Sequence, residues 1–128
     1  MDTRSLALGL AANRSLFGAG FVLSPEKTAK SWIGPVATSG GGGVMVRAAG
    51  ARDLALGAGA IAALRGRGDA RAWFAAHLVS DATDVLATWA ARRELGPART
   101  AYAIFMGTAS AAIATAYLLE HAHSPDKS

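Results

Sequence analysis

The sequence predicts an all-α chain: one domain over residues 1–128, built as an antiparallel four-helix transmembrane bundle with a short interfacial helix between helices one and two. Three observations predict it. Hydrophobic residues make up 52% of the chain and charged residues only 17%, against about 25% charged in an average soluble protein. Proline and glycine divide the chain into apolar stretches of membrane-crossing length. Basic residues gather at the ends of those stretches, Arg65, Arg67 and Arg71 in one cluster and Arg92, Arg93 and Arg99 in another, as at membrane interfaces.

The first helix is expected over about 5–23, apolar except for Asn13 and Arg14, and ended by Ser24-Pro25. A secretory signal fits poorly, because Arg14 interrupts the apolar run and no clear small-x-small cleavage site follows. Ser24 as N-cap and Pro25 at the first helical position start the interfacial helix, Glu26 to Trp32, which Gly34-Pro35 breaks. Four consecutive glycines, Gly40 to Gly43, read as the most flexible backbone of the chain: a linker, or a mobile lid.

The second helix is expected over 44–64, with Gly50, Gly57 and several alanines permitting close helix approach. Asp69 caps the third, 69–93, and Gly96 followed by Pro97 separates it from the fourth, 98–120. Ala101 to Leu119 carries no charge; at ~1.5 Å per residue it reaches ~28 Å, close to a bilayer core of ~30 Å. A polar tail, 121–128, follows. Trp73 with Tyr117, and Trp89 with Tyr102, are placed to form aromatic girdles at the two interfaces. Segments around Arg14 and Arg52 echo each other weakly.

The chemistry lies along the third helix. Trp73, His77, Asp81, Asp84 and Thr88 follow spacings of four, four, three and four, which put them on one face. Set across one apolar slab, Arg14, Arg52 and Asp53 fall at the same depth as Asp81 and Asp84, with Thr108 and Ser110 opposite on the fourth helix. With Arg47 included, three arginines balance three aspartates around a neutral His77. One charge at the centre of a membrane helix costs ~2.5–3.5 kcal/mol, so these must face inward and pair, Arg52 with Asp81 or Asp84.

Three chemistries are open to this layer. It is a structural ion-pair network fixing helix register. Or it is an isomerase- or cyclase-like acid/base site for a small lipophilic substrate, with Asp81, Asp84 and His77 catalytic and Arg52, Asp53, Arg47, Arg14 and Trp73 lining it. That version requires a mid-depth cavity of ~300 Å³ or more. The third is a metal site on His77, Asp81 and Asp84. That set lacks the extra His or Glu of four-helix carboxylate sites, so no metal is assigned.

Arg47-x-x-Gly50-x-Arg52-Asp53-Leu54-Ala55-Leu56-Gly57, followed a helix later by Asp81-x-x-Asp84, resembles an uncharacterised family of small bacterial four-helix membrane proteins. The similarity covers roughly Arg4 to Glu120, Ser24-Pro25-Glu26 included. It implies a multi-pass protein of the bacterial plasma membrane and carries no activity with it.

The expected partners are therefore the lipid bilayer, a small lipophilic ligand and a second copy of the chain. No cofactor is expected, and the absence of cysteine excludes a disulfide framework and a thiolate metal site. Nucleic acid is rejected despite a net charge of +4, because no contiguous basic face exists. Basic residues divide evenly between the two ends: Arg4, Arg65, Arg67, Arg71 and Lys127 against Lys27, Lys30, Arg92, Arg93 and Arg99. Orientation is therefore not fixed by charge.

Overall fold

The computed structural model describes residues 2–122. Those residues form helices and no strand: α1 (Thr3–Leu23), α2 (Pro25–Ile33), a 3-10 turn (Gly34–Thr38), α3 (Gly40–Leu64), α4 (Ala70–Ala90), the single-turn α5 (Arg92–Leu95) and α6 (Pro97–Glu120). Of the expected polar tail, 123–128 and with it Lys127 lie outside the described residues.

The punctuation works as its chemistry dictates. The Asp2 carboxylate caps α1 by accepting from Ser5 N at 2.7 Å, and Pro25 ends that helix and opens α2. Gly34, at φ 67°, turns the chain into the 3-10 segment. The Asp69 carboxylate accepts from Arg71 N at 2.8 Å to start α4. The larger departures from the sequence reading are at the end of the third expected helix and at the start of the second. α4 stops at Ala90 rather than Arg93, and Arg92–Leu95 forms a separate turn before Gly96, φ 79°, and Pro97.

The Gly40–Gly43 run is neither linker nor lid; it is the first turn of α3. Ser39 caps it, its hydroxyl accepting from Gly42 N at 3.0 Å. A Cβ on Gly42 would collide with the Val36 carbonyl. The 3-10 turn therefore folds back onto a helix start that admits only glycine at position 42.

Close packing of α1 on α3 follows from small residues. A Cβ on Gly18 would come within 2.6 Å of Gly50 O, and one on Gly57 within 2.5 Å of Ala11 O. Contacts run in opposite directions along the two helices: Gly18 meets Gly50 and Leu54, Ala11 and Ser15 meet Gly57, and Arg4 reaches Leu64 O. α4 and α6 meet in the same sense, Phe74 with Tyr117 and Asp81 with Ser110.

Two apolar clusters bracket the middle of the molecule. One joins Ala7, Ala11, Ala60, Leu64, Phe74, Ala114 and Tyr117; the other joins Phe21, Ala29, Ala37 and Val46. The outer surface is also apolar, with Leu16, Leu23, Met45, Val79, Leu86, Phe105 and Leu119 all more than two-thirds exposed. Two helices, Thr3–Leu23 and Pro97–Glu120, are long and apolar enough to cross a membrane. Of the two aromatic pairs expected to lie at the interfaces, only Trp89 and Tyr102 are on the outer surface. Trp89 is exposed, with the Arg92 guanidinium 4.5 Å above its ring, whereas Tyr117 turns inward, its ring 4.4 Å from that of Phe74.

Candidate functional site: an Arg–Asp layer beneath a lateral cleft

Between the two apolar clusters lies the polar layer. Arg14 of α1 is its centre, with a side chain only 8% exposed. Its Nε donates to Asp53 Oδ1 at 3.2 Å, and its Nη2 to Ser80 Oγ at 3.4 Å and to Asp81 Oδ1. Asp81, with 4% of its side chain exposed, accepts a second bond on Oδ2 from the Ser110 hydroxyl at 2.6 Å. Arg52 grips Asp84 with both ends of its fork, Nη1 to Oδ1 at 2.9 Å and Nη2 to Oδ2 at 2.7 Å, and Asp53 at 3.1 Å. Two-pronged Arg–carboxylate pairs of this kind combine strength with directional specificity. The expected partnership of Arg52 with the Asp81/Asp84 pair thus forms, on Asp84.

Four side chains part company with the sequence reading. Arg47 is exposed and makes no ion pair among the described residues. The reason is periodicity: it lies five residues before Arg52, about 140° around the helix, and so on a different face. Thr108 also faces out, which leaves Ser110 as the contribution of α6. Trp73 packs toward Gly59 of α3 instead of lining the layer's open side. His77 is wholly buried, its ring 5.2 Å from that of Phe74. Neither of its nitrogens has a hydrogen-bond partner among the described residues; the Leu56 carbonyl faces the ring outside hydrogen-bonding geometry. His77, Asp81 and Asp84 do not converge on one point, and no group of three potential ligands among the described residues does.

Ser80 and Asn13 belong to the site although the sequence reading passed over both. Each adjoins a buried charge in sequence, Ser80 beside Asp81 and Asn13 beside Arg14. Ser80 also follows His77 by three, which keeps it on the inner face.

Above the layer runs a cleft of about 470 Å³ between α1 and α6, with α2 at one end and α4 behind. Arg14, Asp53, Asp81, Asp84 and Ser110 form its polar floor. Phe17, Phe21, Trp32, Tyr102 and Met106 form its walls toward the α2 end. It exceeds the volume that a small-ligand site requires, but only part of the expected lining borders it. Asp81 and Asp84 line it, while Trp73, His77 and Arg52 do not.

The arrangement can hold an apolar molecule against a charged floor. It is poorly suited to proton transfer, because each of Asp53, Asp81 and Asp84 is already engaged by a guanidinium. Comparison of this chain with protein-family models, with curated proteins and with solved structures yields no match.

Proposed function

We propose that this chain is a multi-pass protein of the bacterial plasma membrane and an antiparallel four-helix transmembrane bundle of α1, α3, α4 and α6. Its Arg–Asp layer locks the helices at mid-depth, and its lateral cleft binds a small lipophilic molecule. The resemblance carried by Arg47 to Gly57 and Asp81-x-x-Asp84 supports the location. So do two helices apolar enough to span and an outer surface of exposed leucine, valine and phenylalanine.

The observation that carries the binding role is the cleft itself. It opens sideways between α1 and α6, where a molecule dissolved in lipid has direct access, and reaches down to buried polar groups. The network has a structural role, since intramembrane charges are tolerated when they face inward and pair.

Location is tested by alkaline carbonate washing of membranes, and recovery in the soluble fraction refutes it. Binding is tested with neutral diphenylhexatriene added to the protein in zwitterionic nanodiscs and read by energy transfer from tryptophan. The native chain saturates at one site, whereas Ala103→Phe, which fills the cleft from α6, does not. Identical titrations of the two proteins refute the binding role.

A further inference from the structure

The buried layer does not balance. With Arg47 on the outer surface, two guanidiniums, Arg14 and Arg52, face three carboxylates, Asp53, Asp81 and Asp84. His77 does not supply the third cation. An imidazolium donates from both ring nitrogens, and those of His77 make neither a hydrogen bond nor an ion pair among the described residues. Each carboxylate touches a guanidinium, yet one net negative charge is left over at mid-depth, where uncompensated charge is costly.

All three carboxylates border the cleft, and Asp84 is the most open of them, with 30% of its side chain exposed. An ionised carboxylate offers about four lone-pair sites, and Arg52 occupies two of those on Asp84. The walls are equally particular. Phe21 stacks on Trp32 at 5.8 Å, Phe17 meets Phe21 edge-on at 6.3 Å, and Tyr102 faces them from α6. Aromatic faces carry negative charge density that attracts a weakly hydrated cation.

We propose that the cleft takes a lipophilic organic cation, an amine or quaternary ammonium on an apolar body, with Asp84 as its counter-ion and the Phe17, Phe21, Trp32 and Tyr102 rings around it. The proposal rests on the cleft being a binding site and adds the sign of the ligand. A neutral or anionic lipophile would leave the extra carboxylate uncompensated.

The test compares three probes of one shape in zwitterionic nanodiscs: diphenylhexatriene, its trimethylammonium derivative and its propionic-acid derivative, with Ala103→Phe as the blank. The cationic probe is expected to bind about tenfold or more tighter than the neutral one, and the anionic probe weakest. Asp84→Asn, which equalises the charges, brings the cationic and neutral probes together, while Asp84→Glu keeps the preference. Trp32→Ala lies outside the four long helices and weakens the cationic probe selectively, which tests the cage should Asp84→Asn fail to fold. Equal binding of all three probes, or preference for the anion, overturns the proposal and leaves the cleft as a site. Absence of binding by every probe, including a cleft closed by a second copy of the chain, overturns the binding role as well.

Discussion

Removing Arg14 should unfasten the bundle. Arg14→Met keeps an unbranched apolar stem but deletes the bonds to Asp53 at 3.2 Å, to Ser80 at 3.4 Å and to Asp81. Asp53 keeps Arg52, and Ser80 loses one weak acceptor contact. The loss therefore concentrates on Asp81, which retains only the Ser110 hydroxyl at 2.6 Å while 4% of its side chain is exposed.

A buried charge stripped of its ionic partner costs ~3–5 kcal/mol, whereas exposed pairs are worth ~0.2–1 kcal/mol. Arg14→Met should accordingly destabilise by ~3–5 kcal/mol in mixed-micelle unfolding followed by helical circular dichroism. Arg14→Met combined with Asp81→Leu should recover most of it, since an apolar pair can replace a buried ionic one at little cost. Arg52→Met should cost less than Arg14→Met, because the side chains of Arg52 and Asp84 are 35% and 30% exposed and the stranded Asp84 is less fully buried than Asp81. A single-variant loss below ~1 kcal/mol, or no coupling in the double-mutant cycle, refutes the buried network as an energetic unit.

Glycine substitutions separate packing from propensity. Gly18→Val should weaken the α1–α3 contact by ~1–3 kcal/mol or more in the same unfolding assay, as its side chain meets backbone at Gly50 and Leu54. Gly9→Ala has open space and should be neutral or stabilising by up to ~1 kcal/mol. At the start of α3, Gly41→Ala should stabilise by ~0.5–1 kcal/mol and Gly42→Ala should destabilise; a linker would respond to neither. The Asp2 carboxyl is held below its ordinary range, chiefly by its side-chain hydrogen bond with Ser5 and the backbone N–H of that residue. Its capping is complete above that range and lost as pH falls below it through the lowered value, so the protection of the Ser5 amide, taken relative to its intrinsic exchange rate, should fall in acid, and Asp2→Ala should remove that loss.

Local chemistry determined where α1 ends and where α4 and α6 begin, because those ends are written in residues whose backbone preferences need no neighbour: Pro25, the Asp69 cap, Gly96-Pro97. Depth was also legible. Distance along a helix is fixed at ~1.5 Å per residue, so Arg14, Arg52, Asp53, Asp81 and Asp84 had to meet if the helices lie side by side, and they do. Azimuth was not, because a period of 3.6 fixes which residues share a face but not which helix that face meets. Arg47 was given the right helix and the wrong face. His77 shares the face of Asp81, yet α3 and Phe74 cover it while the cleft opens elsewhere. Gly40–Gly43 looks flexible in isolation and becomes a helix turn because the Val36 carbonyl and the Ser39 hydroxyl pack against it, contacts that exist only once the 3-10 segment has folded back. The cleft belongs wholly to the tertiary structure. It is the space left where α1 packs tightly on α3 and α4 on α6 through small residues, while α1 and α6 stay apart around their larger side chains.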